Sequence, residues 1–301
     1  MADKPKRIKS ITEFHRIRGL QPPQHPLISI VDYSKLKFIP GSAVFDYYSI
    51  SIKRGVGKMF YGQQEYDFDE GVMYFMAPNQ VLRVAQGQEY TISKPSGWIL
   101  LIHPDFLWNT PLANTIKKYE FFDYSVNEAL FLSDKEEAIL NGIIKNIEQE
   151  YKSNIDKFSQ TIIISQIETL LNYSDRFYQR QFITRKKTNH QILDKLEKLL
   201  NDYFNSNELS AKGLPAVDDI AKNLNVSPGY LSGVLKNLTG QSTQQHIHNK
   251  LIEKAKEKLS TTSLTVSEIA YELGFEHSQS FSKLFKSKTN LSPLEFRTSF
   301  N

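Results

Sequence analysis

Cysteine is absent from this chain of 301 residues. Its absence excludes disulfide bonds, thiol nucleophiles, thiolate zinc sites and thiol-based redox sensing. Long apolar runs are also missing, since the longest clear one, Trp98 to Ile102, is far too short to span a membrane. The first residues carry charge but no apolar stretch follows them, so we expect no secretion signal, no membrane association and a cytoplasmic location.

A strong excess of charge is lacking too. The chain has 37 Lys and Arg against 33 Asp and Glu, and residues 188–301 contain 13 basic and 12 acidic side chains. Any surface for nucleic acid must therefore arise from the distribution of charge. Hydrophobic residues at 40% and aromatic residues at 12% are typical of globular folding, and the length allows two domains.

The last third of the sequence contains a repeat. The pattern Ile-Ala-x-x-Leu at residues 220–224 returns at 269–273, and Leu-Lys-x-x-Thr-Gly at 235–240 returns as Phe-Lys-x-x-Thr-Asn at 285–290. The first pair is offset by 49 positions and the second by 50, so the later copy has one extra turn residue. Such self-similarity indicates a duplicated structural unit.

Each copy predicts two short helices joined by a break, at residues 217–238 and 266–288. This arrangement fits the helix-turn-helix, whose second helix enters the DNA major groove, although two ordinary amphipathic hairpins are the alternative. Ser242 to Leu259 predicts one connecting helix of about 27 Å. A rod of that length suits two recognition helices that are about one DNA turn, roughly 34 Å, apart.

Several motifs in this part occur in the order found in one protein family. They are Asp219-Ile-Ala, Ser227-Pro-Gly-Tyr-Leu-Ser, Lys236-x-x-Thr-Gly, Ile269-Ala-x-x-Leu-Gly-Phe, Phe281-Ser-Lys-Leu-Phe-Lys and Ser292-Pro-Leu-Glu-Phe-Arg297. With them, residues 189–301 resemble the DNA-binding domain of the AraC/XylS transcription regulators. The resemblance implies seven helices, two helix-turn-helix motifs and sequence-specific binding to double-stranded DNA.

The candidate DNA-binding residues lie on the second helix of each copy and at two helix starts. Gly233 stands where members of the family often carry Arg, so we expect the first copy to discriminate bases less than the second. The candidates for base contacts are Tyr230, Ser232, Asn237, Gln279, Ser282 and Lys283, and those for phosphate contacts are Lys236, Ser242, Lys286 and Ser292. The alternatives are that the serines are solvated, that Tyr230 packs internally and that Lys283 touches phosphate.

The first part of the chain predicts short strands. They are Val44 to Lys53, Gly57 to Tyr61, Val72 to Met76, Gln80 to Val84 and Trp98 to His103. Within the first of these, Tyr48, Ile50 and Ile52 lie on one face, and Ser49, Ser51 and Lys53 on the other. Many short strands indicate a small barrel or sandwich, and the family resemblance favours a cupin-like jelly roll for residues 1–130.

Such a barrel suits a small effector or, alternatively, a metal-dependent enzyme. Enzymatic cupins need clustered His with a carboxylate, whereas His15, His25 and His103 lack that spacing, so we expect neither catalysis nor a metal or other cofactor. The candidates for an effector pocket are Tyr48, Tyr61, Tyr74, Arg83 and Trp98. The alternative is that these side chains fill the barrel or cover its outside.

Two amphipathic helices follow the predicted barrel. Ser133 and Glu136 form a capping box before an apolar stripe, and a second stripe runs from about Ile155 to Phe177. The resemblance implies that residues 131–181 mediate a homodimer, with intrachain packing as the alternative. We expect an exposed linker at residues 182–190 and the DNA-binding domain at 191–301.

Taken with the resemblance, these patterns predict an α+β chain that regulates transcription. An effector in the barrel would change how two DNA-binding domains sit on paired half-sites, and activation through RNA polymerase is the family default. Two alternatives stay open: a constitutive regulator with a purely structural barrel, and a cupin enzyme with a DNA-binding tail.

Overall fold

The chain divides into two compact units, Met1–Gln181 and Phe182–Asn301. The computed structural model describes residues 5–37, 39, 41–54, 59–61, 64–66, 71–84, 96–124, 128–153, 158–184, 186–206 and 208–299. Each unit has its own apolar core, so each is described separately.

Short strands dominate the first part of the amino-terminal unit. They are β1 (Lys6–Ile8), β2 (Ile28–Asp32), β3 (Gly41–Phe45), β4 (Tyr48–Arg54), β5 (Met59–Tyr61), β6 (Gln64–Tyr66), β7 (Val72–Met76), β8 (Val81–Val84), β9 (Ser96–Ile102) and β10 (Leu130–Phe131). A five-stranded sheet has the order β10-β7-β4-β9-β2, a three-stranded sheet has the order β1-β3-β8, and β5 pairs with β6. Within the described residues these sheets do not close into one barrel, so the predicted jelly roll is not reproduced there.

The long strand predicted for Val44 to Lys53 is two strands in the structure. The chain bends at Asp46 and Tyr47, so β3 pairs with β8 while β4 pairs with β7 and β9 in another sheet. The alternating pattern of side chains continues through the bend, so the sequence gives no sign that the strand is interrupted there. A period of two residues shows which side chains share a face, not which partner strand they join.

Both faces of the five-stranded sheet are covered. On one face, Trp98 and Met73 meet helical residues, with the Trp98 indole N–H donating to Asn141 Oδ1 at 2.8 Å. On the other face, Ile99 and Leu101 share a core with Phe14 of the first helix and with Phe45 of β3. The polar side of β4 therefore faces the interior, and Ser51 is buried there.

The helices of the amino-terminal unit include two long ones. In the described part of this unit, the four α-helices are α1 (Ile11–Arg18), α2 (Pro111–Thr115) and the two long helices α3 (Asp134–Lys152) and α4 (Ser159–Thr184). The boundary between the two units falls within α4. The predicted capping box is confirmed, because Glu136 N donates to the Ser133 hydroxyl and Ser133 N donates to the Glu136 carboxylate. Within the described residues, no helix is both long and apolar enough to cross a bilayer.

The carboxyl-terminal unit is helical. Its helices after α4 are α5 (Lys186–Asn205), α6 (Glu208–Lys212), α7 (Val217–Asn223), α8 (Pro228–Thr239), α9 (Thr243–Thr261), α10 (Val266–Glu272), α11 (Ser278–Thr289) and α12 (Pro293–Thr298). The resemblance implies seven helices, and the described residues form one more because the short α6 lies between α5 and α7. The connecting helix predicted from Ser242 is confirmed as α9, which the Ser242 hydroxyl caps.

The exposed linker predicted at residues 182–190 is contradicted at two of its positions. Phe182 and Asn189 are both buried, and the Asn189 side-chain N–H donates to the Phe182 carbonyl at 2.7 Å. The Phe182 ring also packs on Tyr230 with centroids 5.3 Å apart. The composition of this segment indicated a basic, polar connector. In the structure, Phe182 instead packs into the carboxyl-terminal unit.

Candidate nucleic-acid interface

The duplicated sequence folds into duplicated hydrogen bonds. In the first copy, Val226 N donates to Ala221 O, and in the second, Phe275 N donates to Ala270 O, both at 3.0 Å. The turn residue between them adopts a left-handed conformation in each copy, Asn225 with φ +56° and Gly274 with φ +78°. Gly and Asn are the residues that adopt this conformation most readily, so the two turns share one geometry.

The second helices of the two copies end in the same way. Gly240 N donates to Lys236 O and Asn290 N donates to Lys286 O, both at 2.9 Å, and both end residues have positive φ. The next helix then begins in both copies at a serine that accepts a hydrogen bond from the third helical residue. The α7 and α8 pair and the α10 and α11 pair are therefore two copies of one helix-turn-helix.

One apolar core holds both copies in place. Ile247, Leu251 and Ala255 of α9 lie in the same buried cluster as Leu235 of α8 and Phe285 of α11. In addition, the Arg297 Nε of α12 donates to the Leu259 carbonyl at the end of α9. Since close-packed cores resist deformation, the spacing of the two second helices is set by this shared packing.

The outer face of α11 is polar and exposed. Phe281 and Phe285 are buried, while Gln279, Lys283 and Lys286 are exposed along the opposite side. Their spacings of four and three residues place these three side chains in one row on a helix. Ser282 is half-buried beside the row. The structure thus brings together all three predicted base-contact residues of the second copy.

The outer face of α8 offers fewer polar groups. At the offset of 50 residues, Gln279 corresponds to Gly229 and Lys283 corresponds to Gly233. Ser232 is half-buried and Asn237 is exposed, but Tyr230 is only 5% exposed. The burial of Tyr230 argues against its predicted base contact, because a ring held against Phe182 cannot reach a base edge. The outer face of α8 thus presents fewer polar side chains than that of α11, and the weaker base discrimination of the first copy stays a prediction.

The predicted phosphate contacts lie at the ends of the second helices. Lys236 and Lys286 are exposed, whereas Ser242 and Ser292 are half-buried and accept capping hydrogen bonds from Gln245 N and Glu295 N. The pKa of the Glu295 carboxyl is lowered, first by the Ser292 backbone N–H, then by the Ser292 hydroxyl and the charge of Lys286.

The effector-pocket candidates do not share one cavity. Tyr48 and Trp98 lie on the face of the five-stranded sheet that meets the helices, since Tyr48 pairs with Ile102 and Trp98 pairs with Ile52. Tyr74 pairs with Ser51 and lies on the opposite, interior face. The side chains of Tyr61 and Arg83 lie outside the described part of the chain. Tyr48, Trp98 and Tyr74 therefore cannot line one common pocket, because Tyr74 projects from the opposite face of the sheet.

Tyr48 lines an open groove of about 740 Å³. Its ring packs edge-on against Phe122 with centroids 5.2 Å apart, and burial raises the pKa of its hydroxyl. The exposed Trp108 and Lys117 line the same groove. Trp108 was not among the predicted residues, because a single tryptophan after a strand gives no periodic signal of exposure.

The histidines of the amino-terminal unit make separate local contacts. His15 Nε2 lies 2.9 Å from Ser29 Oγ, His25 Nδ1 accepts from Leu27 N, and His103 Nδ1 lies 3.4 Å from Asp105 Oδ2. Burial lowers the pKa of His25. Within the described ranges, no three His, Asp or Glu side chains are grouped closely enough to hold a metal ion.

Comparison with known proteins identifies the duplicated region. Residues 220–299 match a family model described as a helix-turn-helix domain. The uncharacterised HTH-type transcriptional regulator YfiF of Bacillus subtilis is 31% identical over 147 residues, which cover 49% of this chain and 43% of YfiF. An uncharacterised HTH-type regulator from the cgkA 5' region of Pseudoalteromonas carrageenovora is 35% identical over 101 residues, which cover 34% of this chain and 55% of that protein. The matched parts thus span about half the length of these relatives.

Among solved structures, the carboxyl-terminal domain of AraT, a response regulator from Geobacillus stearothermophilus, is similar to part of this chain. The two are 30% identical, with 36% of this chain and 84% of that domain covered at a TM-score of 0.32.

Proposed function

We propose that this chain is a sequence-specific transcription regulator, because residues 220–299 form an AraC-type helix-turn-helix domain. The observation that carries the proposal is the pair of helix-turn-helix motifs with matching hydrogen bonds in one core. Two second helices held at a set spacing can enter successive major grooves on one side of double-stranded DNA.

The second copy supplies most of the base discrimination. Gln279 and Lys283 are exposed on α11, where a Gln pairs with adenine and a Lys pairs with guanine. The glycines at the corresponding positions of α8 carry no side chain that could distinguish bases. The first copy then contributes Ser232 and Asn237 together with close contact of the backbone to phosphate.

Selection from a randomised duplex pool tests this function. The full chain should enrich a site with two unequal halves about one helical turn apart, the stronger half being the one that α11 contacts. Enrichment of no motif, with a folded protein confirmed by circular dichroism, would contradict the proposal.

Replacing Lys283 by Ala should weaken the selected site more than unrelated sequences. Loss of a good base contact costs about 1–3 kcal/mol, or roughly 5- to 150-fold in affinity, and relaxes specificity at one position. Fluorescence anisotropy with the selected site and with all single substitutions of it measures both effects. Lys212→Ala on α6 is the matched control, and equal weakening of every sequence would assign Lys283 to phosphate instead.

Replacing Lys286 by Ala should weaken binding to all sequences alike. Lys286 is exposed one turn beyond Lys283 and next to the start of α12. Removal of one phosphate contact should reduce the slope of log affinity against log salt by about one. Titrations at several salt concentrations give the slope, and a selective loss at the selected site alone would show that the assignment is wrong.

We further infer that the amino-terminal unit is a cupin-like sensor and dimerisation module rather than an enzyme. Exposed apolar side chains on the two long helices, Ile139 and Ile162, support a homodimer through this pair. An effector bound in this unit would alter DNA binding only if it prefers one arrangement of the dimer. Activation through RNA polymerase is the regulatory output that we assign.

The competing hypothesis is a constitutive regulator whose amino-terminal unit only dimerises. Genomic footprinting with and without candidate metabolites separates the two, because a constitutive regulator protects the same sites in every condition. A metabolite-dependent change in protected sites supports the sensor.

A further inference from the structure

A cavity of about 350 Å³ lies in the amino-terminal unit, beside the ends of its two long helices. Its walls come from four segments that are far apart in sequence: the residues that enter β2, those that follow β9, the end of α3 and the start of α4. Pockets for small molecules usually have volumes of about 300–1,000 Å³. The space therefore suits a small organic molecule.

Hydrogen bonds between these segments fix the walls of the cavity. The Tyr151 hydroxyl, at the end of α3, accepts from Gln24 N at 2.7 Å and from His25 N at 3.3 Å. At the start of α4, Gln160 Nε2 donates to Phe106 O at 2.8 Å. The cavity is thus built by contacts between distant segments and not within a single loop.

The inner part of the cavity is apolar and aromatic. Ile28, Phe106 and Ile163 are buried side chains of its lining, and the His25 ring packs edge-on against Phe106 with centroids 5.5 Å apart. His25 Nδ1 accepts from Leu27 N at 3.1 Å, and burial lowers the pKa of His25. The imidazole is therefore neutral near pH 7 and adds no positive charge to the lining.

Two carboxylates give the cavity a negative charge. The half-buried Glu150 carboxylate forms no ion pair or hydrogen bond with a described residue. Asp105 is exposed; His103 Nδ1, 3.4 Å from Asp105 Oδ2, accepts the Asp105 backbone N–H and so has no hydrogen for that carboxylate. None of the ten described lining residues is Lys or Arg, and the nearby Lys152 pairs with Glu148 at 2.6 Å.

The polar groups of the lining are mainly acceptors. Because the Gln160 amide nitrogen is engaged by Phe106 O, its Oε1 is left as an acceptor beside the oxygens of Glu150 and Asp105. A primary ammonium group has three N–H donors and no acceptor, so it matches this set. The rings of Phe106 and Tyr151 add faces that attract a cation.

We propose that this cavity binds a small primary amine, with its ammonium group at Glu150 and Asp105 and its apolar body against Ile28 and Phe106. The proposal rests on the effector response described above and names the class of that effector. An anion would be repelled by both carboxylates, and a neutral alcohol would leave them without a counter-charge. A metal ion is disfavoured, because no three His, Asp or Glu side chains of the described ranges are grouped to hold one.

The position of the cavity connects it to the proposed dimer surface. A bound amine would contact Glu150 near the end of α3 and Ile163 near the start of α4. Ile163 directly follows Ile162, one of the exposed apolar side chains assigned above to the dimer. An amine that prefers one arrangement of these two helices would therefore shift the dimer toward that arrangement.

Matched pairs of probes test the proposal with the full chain. Isothermal titration calorimetry would compare hexylamine with 1-hexanol and 2-phenylethylamine with 2-phenylethanol, with hexanoate as the opposite charge. At least one amine should bind, and its alcohol should bind about tenfold more weakly or worse, because a charge-assisted hydrogen bond is lost. Equal binding of amine and alcohol, tighter binding of hexanoate, or no binding of either amine would overturn the proposal.

Two substitutions locate the site. Glu150→Gln keeps the shape of the side chain and should weaken the amine about tenfold, whereas Asp105→Asn, at an exposed position, should weaken it roughly two- to fivefold. Glu148→Gln is the matched control, because it removes the same charge from the same helix outside the cavity, and should change the affinity less than about twofold. Unchanged affinity in Glu150→Gln, or an equal loss in Glu148→Gln, would overturn the proposal.

Thermal midpoints without amine guard against loss of folding. Since the Glu150 carboxylate has no partner among the described residues, the midpoint of Glu150→Gln should stay within about 2 °C of the parent. A much lower midpoint would show that the protein itself satisfies this carboxylate, and the proposal would fail. At one fixed concentration, the amine should raise the midpoint of the parent more than that of Glu150→Gln.

DNA binding by the same samples separates the site from the regulatory proposal. An amine that binds through Glu150 without changing affinity for the selected duplex supports the site and contradicts effector control. A response of DNA binding to the amine that persists in Glu150→Gln supports effector control and contradicts the site.

Discussion

Replacing Phe285 by Ala should lower the free energy of unfolding of the carboxyl-terminal unit by about 3–5 kcal/mol. Phe285 is fully buried, and its ring lies 5.8 Å from Phe281 and 5.5 Å from Phe296. The smaller side chain would leave a cavity in the core that α9 shares with both helix-turn-helix motifs. We therefore expect DNA binding by both halves of the site to fail at the same temperature.

Circular dichroism melts and anisotropy at rising temperature measure this effect. A loss of about 3–5 kcal/mol corresponds to a midpoint lowered by roughly 10–20 °C. Lys288→Ala, at an exposed position of the same helix, is the control and should stay within about 0.5 kcal/mol of the parent. If the α11 half-site were lost while the α8 half-site kept its affinity, the two motifs would not depend on one core.

Replacing Gly274 by Ala should cost about 2–5 kcal/mol, from two causes that act together. Its φ of +78° disfavours any residue with a Cβ atom, and that atom would lie 2.6 Å from Leu209 O and 2.7 Å from Gly213 Cα. Both contacts are with backbone atoms, which cannot rotate away. The turn between α10 and α11 must therefore shift, and with it the orientation of the recognition helix.

Gly240 is the matched control for this prediction. It has a φ of +73°, but a Cβ atom there would meet no atom within 4 Å. Gly240→Ala should then cost only the conformational penalty of about 1–2 kcal/mol. Urea unfolding of both variants gives the comparison, and equal losses would rule out a steric role for the close approach of α6 to Gly274.

The duplicated motif was predictable because its signals are local. Positions of the turns, the capping serines at 133, 242 and 292 and the apolar faces of α9 and α11 all follow from residues within a few positions of each other. The structure confirms the predicted capping box of Ser133 with Glu136 and the connecting helix α9. The roles of Gln279, Ser282 and Lys283 at bases remain predictions, since exposure permits contact with DNA but does not demonstrate it.

The amino-terminal unit was less predictable because its pairings are distant in sequence. The structure divides the first predicted strand between two sheets and places the described effector candidates on two faces. Lys53 illustrates the difficulty. Its alternation with Ser49 and Ser51 predicts a polar face, which is ordinarily solvent-facing, yet α1 and β3 cover that side.

Tyr230 shows the same limit in a helix. Its position on α8 is correct for a recognition helix, but packing against Phe182, 48 residues earlier, keeps it from the surface. The period of 3.6 residues cannot detect a partner so far away in the chain.

The sequence by itself therefore determined the secondary structure of the carboxyl-terminal part, its duplication and its resemblance to a DNA-binding domain. Tertiary structure alone decided which polar faces are buried and which candidates share a site. The physical reason is that backbone geometry over a few residues sets which side chains share a face. Whether that face meets water or another element depends on segments far away along the chain.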